Sequence, residues 1–275
     1  MRYHIIDNIR GLVFVSMFAF HTVWDLTNMF GVSMPWFDGA VGHVWQQSIL
    51  WAFILISGFC WGMGHHQAKR GVIVFAAGAL VSAVTAVVMP NDPVVFGVLT
   101  FMGAAMLVLC VFKQQIENVP ALPALIVCVV LFALTRDVPY GYLGFETLHI
   151  FKLPGELYAN LTSAFFGFQP SGFTSSDYVP FIPWIFLYLC GYFAFRAWPR
   201  NAAPTGDAAP AKLAKASDGA ASDIPADAAP QQVLALPQQG QWPIVNYIGR
   251  HSLEFYLLHQ VVIYAALSAI FAAIK

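Results

Sequence analysis

The chain has 275 residues, of which 59% are hydrophobic and only 10% charged, and its formal net charge is −1. Soluble domains carry about 25% charged residues, so this composition excludes an ordinary soluble domain. The near-neutral balance also excludes the basic footprint that a nucleic-acid partner requires.

Apolar runs of membrane-crossing length recur along the chain. They predict an all-α, polytopic integral membrane helix bundle of about seven helices, at 9–27, 45–64, 71–89, 95–112, 121–135, 181–198 and 248–272. The fifth is short for a bilayer. With alternate sides assigned from a cytoplasmic N-terminus, ten of the 13 Lys and Arg residues fall on the cytoplasmic side, leaving Arg136, Lys152 and Lys275 outside. The positive-inside rule favours that orientation. The basic start and apolar stretch at 1–27 also read as a cleaved signal peptide. However, no small-x-small cleavage site follows, and His21, Trp24 and Asp25 suit no signal core.

Within the first segment Asp7 is a candidate N-cap for a helix beginning at Asn8. Ten residues separate Arg10 from His21. Eleven steps of about 100° and 1.5 Å bring the two onto one face roughly 16 Å apart. Asp25 follows His21 by one turn, within side-chain reach. Ionisable groups inside a span are costly and face a protein interior or a water-filled cavity. One stripe thus carries a cation at the cytoplasmic edge and a His–Asp pair in the outer half. Two readings apply to each part. Arg10 either anchors a phosphate or snorkels to headgroups. His21 and Asp25 are either an acid/base pair or an interhelical hydrogen-bond clamp.

The four cysteines, Cys60, Cys110, Cys128 and Cys190, lie inside predicted spans and match no zinc spacing. His43, His65, His66 and His149 fall in loops or at helix ends, and no metal is expected. Residues 136–180 form a long outer segment rich in Pro and Gly, in which 157–168 reads as an interfacial or re-entrant helix. An eighth span there would invert the C-terminus. Asn160-Leu161-Thr162 is a glycosylation sequon of high chance frequency. Asp177, before Tyr178 and Pro180, either orients an acceptor or caps the sixth helix. Residues 201–240 hold 13 Ala and 5 Pro and no aromatic residue, and read as a disordered cytoplasmic linker. The chain therefore divides into a bundle over 1–200, the linker, and a final helix of the same bundle within 241–275. That helix carries Arg250, a His251–Glu254 pair at i, i+3, and His259 in mid-span.

Several segments resemble one family in order and spacing. "IIDNIRGLVFVSMFAFHTVWDL" (5–26) resembles the start of the bacterial proteins grouped with the catalytic domain of heparan-α-glucosaminide N-acetyltransferase, and is similar to the first helix of the wider transmembrane acyltransferases. "FILISGFCWGMG" (53–64), "FGVLTFMGAAML" (96–107), "SSDYVPFIPWIFLYLCGY" (175–192) and "IGRHSLEFYLLHQ" (248–260) resemble its second, fourth, late and final helices.

The resemblance implies a bacterial inner-membrane enzyme that moves an acetyl group from cytoplasmic acetyl-CoA to an outer acceptor, a glycan or lipid-linked sugar. Arg10, with Arg250, is then the phosphate-binding end. His21, Asp25 and His259 are the catalytic set, and Asp177 and Tyr178 contact the acceptor. Direct transfer and an acetyl-histidine intermediate both fit, and an oligomer is compatible with the sequence. Thr100 stands where the family often has His, so a second polar function is either missing or supplied elsewhere. The reading from another class is a carrier that uses His21 and Asp25 as a proton relay. No inverted repeat or paired broken helices support that reading.

Overall fold

A computed structural model describes residues 4–146, 148–198 and 242–274. The predicted linker at 201–240 lies outside the described residues. Ten α-helices are described: α1 (His4–Asn28), α2 (Ala40–Trp61), α3 (Gln67–Val88), α4 (Val98–Val111), α5 (Lys113–Glu117), α6 (Ala121–Leu134), α7 (Leu161–Phe166), α8 (Phe181–Ala197), α9 (Pro243–Arg250) and α10 (Ser252–Ile274). Four of them, α1, α2, α3 and α10, are long and apolar enough to cross a membrane. The apolar helices α4, α6 and α8 are shorter. Together these seven match the predicted spans, and the chain is an all-α, multi-pass membrane protein.

The outward faces explain the composition. Val87 is 82% exposed and Ile274 76%, so the bundle presents apolar surface that lipid must cover. At 14 residues, α4 and α6 are only about 21 Å long, short of a hydrocarbon core of about 30 Å. α4 compensates by sitting inside the bundle. Phe101, Ala105 and Leu109 are buried there, against Ile54 of α2 and Tyr188 of α8. A second core joins Phe14, Met17 and Phe20 of α1 to Phe37 and Ile49.

Small residues set the closest helix crossings. A side chain at Gly58 of α2 would run into the Tyr188 carbonyl of α8, and one at Gly191 of α8 would run into the Leu55 carbonyl of α2. Lipid gives no hydrophobic drive between helices, so close backbone approach of this kind is what holds them. Gly58→Ala is expected to lower stability by about 1–3 kcal/mol through overpacking. Thermal denaturation in detergent checks this, and an unchanged midpoint would show that the crossing relaxes freely.

The outer segment differs from its expectation. Instead of one interfacial helix it forms an antiparallel hairpin, β1 (Tyr142–Phe145) and β2 (Leu148–Lys152), then a 3₁₀ turn and the six-residue α7. α7 spans about 9 Å, so no eighth crossing forms there. Asn160 of the sequon caps α7 by accepting from Ser163 N at 2.9 Å. The buried Arg136 ties the hairpin down. It donates to Gln47 of α2 at 3.0 Å, pairs with Glu146 at 3.5 Å and lies 5.0 Å over the Trp184 ring of α8.

Helix α1 begins at His4, so Asp7 is inside the first turns and not the N-cap. The topology read from the basic residues makes a labelling prediction. A cysteine at Gln115 is expected to react with an impermeant thiol reagent only from the cytoplasm, and one at the exposed Ile150 only from outside. Reversed labelling would invert the assignment.

Candidate active site

The end of the bundle that bears Arg10 is built by a tight contact between α1 and α9. Any side chain at Gly11 would meet the Val245 carbonyl, and any at Gly249 the Asp7 carbonyl. This approach places both predicted cations around one carboxylate. Arg10 Nη1 lies 3.8 Å from Asp7 Oδ1, and Arg250 Nε 3.7 Å from Asp7 Oδ2. Asp7 therefore orients two guanidiniums, a role the sequence reading did not give it. The predicted His251–Glu254 pair forms, at 3.7 Å.

A cavity of about 460 Å³ opens from this corner. Arg10, Arg70 and Arg250 line one part of it, and His21, Ser176 and Asp177 another. Between them the wall is largely apolar, with Met17, Phe53, Ile56, Met102 and Met106, interrupted by Ser57 and Cys60. The Arg10–His21 stripe of α1 thus faces one continuous space.

Around His21 the geometry corrects one expectation. Asp25 does not pair with His21. It is completely buried and accepts from Gln260 Nε2 of α10 at 2.6 Å. The i, i+4 spacing permits contact, but the amide on the facing helix captures the carboxylate. The neighbour of His21 is instead His259, with ring centroids 4.8 Å apart. His259 Nδ1 lies 2.5 Å from the Tyr256 carbonyl. A carbonyl only accepts, so Nδ1 carries the proton and Nε2 presents a lone pair. That Nε2, Asp25 Oδ2 and Gln260 Oε1 are all buried without a hydrogen-bond partner. Three such atoms in one cluster are costly to leave unmatched, and buried polar groups of this kind mark a site. His21 reaches the cavity wall, while Asp25, His259 and Gln260 stand off it.

Thr100, where the resemblance expects His, is buried on α4 against Gly78 of α3. A side chain at Gly78 would run into the Thr100 backbone N, so α3 and α4 cross closely there. The second imidazole of this site comes from α10.

Asp177 lines the outer part of the cavity, but it does not cap α8. Its Oδ2 accepts from Val98 N at 3.2 Å, capping α4, and from the Tyr256 hydroxyl at 3.4 Å. Burial raises its carboxyl above the usual range, opposed by the Val98 N–H and then the Tyr256 hydroxyl. A raised folded value means that the folded state holds the proton more tightly. The stability from this group is therefore complete below the unfolded carboxyl pKa and is lost as pH rises through the raised one. Asp177→Asn is expected to flatten that part of the pH–stability profile and to keep the cap, whereas Asp177→Ala loses the cap at about 0.5–2 kcal/mol. Melting temperatures across acidic to neutral pH test this. An Asn variant that follows the wild-type profile would contradict it.

Tyr178 is not on the cavity wall. Its hydroxyl donates to the Ala164 carbonyl at 2.5 Å and its ring packs on Phe173. This places it in the packing of the outer segment, away from the acceptor role expected of it. The sequence reading also missed Tyr256, Gln260 and Arg70. Gln260 is polar in mid-span beside His259, a signal that could have marked it.

Neither the curated proteins nor the solved structures contain a match to this chain. The family model described as heparan-alpha-glucosaminide N-acetyltransferase, catalytic, matches residues 2–216. That stretch holds Arg10, His21, Asp25 and Asp177, while Arg250, His259 and Gln260 lie beyond it. The match spans well over half of the 275 residues, and the chain belongs to this family of acetyltransferase-like membrane proteins.

Proposed function

We propose that the protein transfers an acetyl group from cytoplasmic acetyl-CoA to a hydroxyl or amine of an acceptor on the opposite face of the plasma (inner) membrane. The acceptor would be a glycan, a lipid-linked sugar or an envelope polymer. The observation that carries this reading is one cavity lined by Arg10, Arg70 and Arg250 together with His21 and Asp177.

Arg10 and Arg250 bind the donor phosphates, because a guanidinium fork donates two parallel hydrogen bonds to a phosphate. The acyl arm runs along the apolar wall of α1, over the roughly 16 Å that separates Arg10 from His21 by helix rise. His21 removes the acceptor proton as the acceptor oxygen or nitrogen attacks the thioester carbonyl. A new C–O or C–N bond forms, the C–S bond breaks, and the departing thiolate takes up the proton from His21. His259, with its Nε2 lone pair, is the group placed to share that proton. The Asp25–Gln260 pair, one helical turn beyond His21 on α1 and next to His259 on α10, supplies negative charge near the site. In the acetyl-histidine variant, His21 accepts the acetyl group first and the acceptor then takes it.

The rival reading is a proton-coupled carrier, and the buried unpartnered atoms of His259, Asp25 and Gln260 are what favour it. Binding and flux measurements on the purified protein separate the two. Acyl transfer predicts saturable binding of acetyl-CoA that is competed by CoA, and no proton flux in liposomes under a pH gradient. Proton flux without acetyl-CoA binding would favour the carrier.

A further inference from the structure

The cytoplasmic mouth holds a second donor-rich corner, separate from the Arg10–Asp7–Arg250 group. It lies where α2 ends and α3 begins. No side chain caps the N-terminus of α3, a 22-residue helix whose N-cap position is His66. Its first backbone N–H groups have no partner within the helix, and the helix dipole makes that end positive. Trp61, the last residue of α2, lines the cavity, is 6% exposed, and its Nε1–H is buried without an acceptor. Gln67, the first residue of α3, donates to the Trp61 carbonyl at 2.5 Å and leaves its buried Oε1 without a donor. Arg70 lines the same wall one turn on, with Nη1 packed beside Gly64. Cys60 lines the same cavity as Arg10 and Arg70, so the two cationic corners share one space.

An N–H donor and an acceptor without partners, beside a guanidinium and an uncapped helix start, set the chemistry that a ligand here would need. It presents anionic oxygens and an adjacent hydroxyl or amine proton. A ribose 3′-phosphate with its neighbouring 2′-hydroxyl has that pattern. Two anion corners on one cavity also call for a donor with two separate anionic groups. CoA has them, in its diphosphate and its 3′-phosphate. A carrier-bound phosphopantetheine has only one.

We infer that Trp61, Gln67, Arg70 and the start of α3 form a subsite for the 3′-phosphoribose of the donor, while Arg10 and Arg250 take the diphosphate. The inference rests on the acyl-CoA reading and deepens it. The subsite selects a nucleotide-borne thioester over a carrier-borne one, with Trp61 and Arg70 as specificity-determining residues.

The test compares CoA with dephospho-CoA, which lacks only the 3′-phosphate, as ligands of the full-length protein in detergent. Wild type is expected to bind CoA about 10-fold or more tightly than dephospho-CoA, the usual effect of charge-assisted hydrogen bonds. Trp61→Phe removes the N–H but keeps an aromatic ring against Tyr192. This variant and Arg70→Gln should each bring the ratio towards one and leave dephospho-CoA affinity unchanged, which also reports that they fold. Arg10→Lys should weaken both ligands equally. Equal binding of the two ligands by wild type would overturn the subsite and leave the acyl-CoA reading standing. So would an undiminished ratio in both variants. Failure of wild type to bind either ligand would overturn the reading and the subsite together.

Discussion

Replacing His21 with Ala is expected to cut acetyl transfer by about 100-fold or more, the usual worth of a positioned base, while acetyl-CoA affinity changes little. His21 is the imidazole on the cavity wall, and Arg10, proposed to hold the donor's phosphates, lies about 16 Å away along α1 by helix rise. His259→Ala should also lower turnover. Because its ring stands 4.8 Å from that of His21, the two effects should not add, and the double variant should be little worse than His21→Ala alone. Asp25→Asn should be milder than His21→Ala, since an amide oxygen can still accept from Gln260. This ordering follows from the observed partners. A His21–Asp25 dyad would instead make Asp25→Asn nearly as severe. Turnover and donor affinity measured on the same purified variants decide the matter. If His21 were only a packing clamp, His21→Ala would lose thermal stability and CoA binding together.

Arg10→Lys is expected to weaken donor binding about 10- to 100-fold, since it keeps the charge and loses the bidentate fork at a cost of roughly 1.5–3 kcal/mol. The Michaelis constant for the acceptor should hardly move. Asp7 sharpens this expectation, because it holds Arg10 and Arg250 at 3.8 Å and 3.7 Å. A lysine at position 10 keeps the attraction to Asp7, so the fold of the α1–α9 contact is preserved and the loss reads on the ligand. Normal CoA binding by Arg10→Lys would mean that the guanidinium serves the membrane edge only.

Much of this arrangement was legible in the sequence, because it follows from helix periodicity along one segment. Apolar run lengths located the seven apolar helices. The spacing of Arg10 and His21 placed both on one wall of the cavity. What the sequence could not give is which helix faces which. Asp25 binds Gln260 and not His21 because α10 packs beside α1, a contact between residues 235 positions apart. Asp177 caps α4 and not the adjoining α8 for the same reason, through a partner 79 positions away. The hairpin at 142–152 was hidden by its short strands and the bulge between Leu143 and Gly144, which interrupts a period-two pattern. Arg70 looked like a topology marker, because a basic residue at a cytoplasmic helix end has that explanation ready. Only the cavity groups it with Arg10 and Arg250.

The most direct measurement is transfer of label from radiolabelled acetyl-CoA in sealed membrane vesicles of known orientation, followed into protein, lipid and glycan fractions. The account predicts that label reaches the lipid or glycan fraction on the face opposite the CoA. It further predicts that this requires CoA on the face bearing Arg10, and that it disappears in His21→Ala vesicles of equal protein content. Wild-type rates of labelling in the His21→Ala vesicles would contradict it.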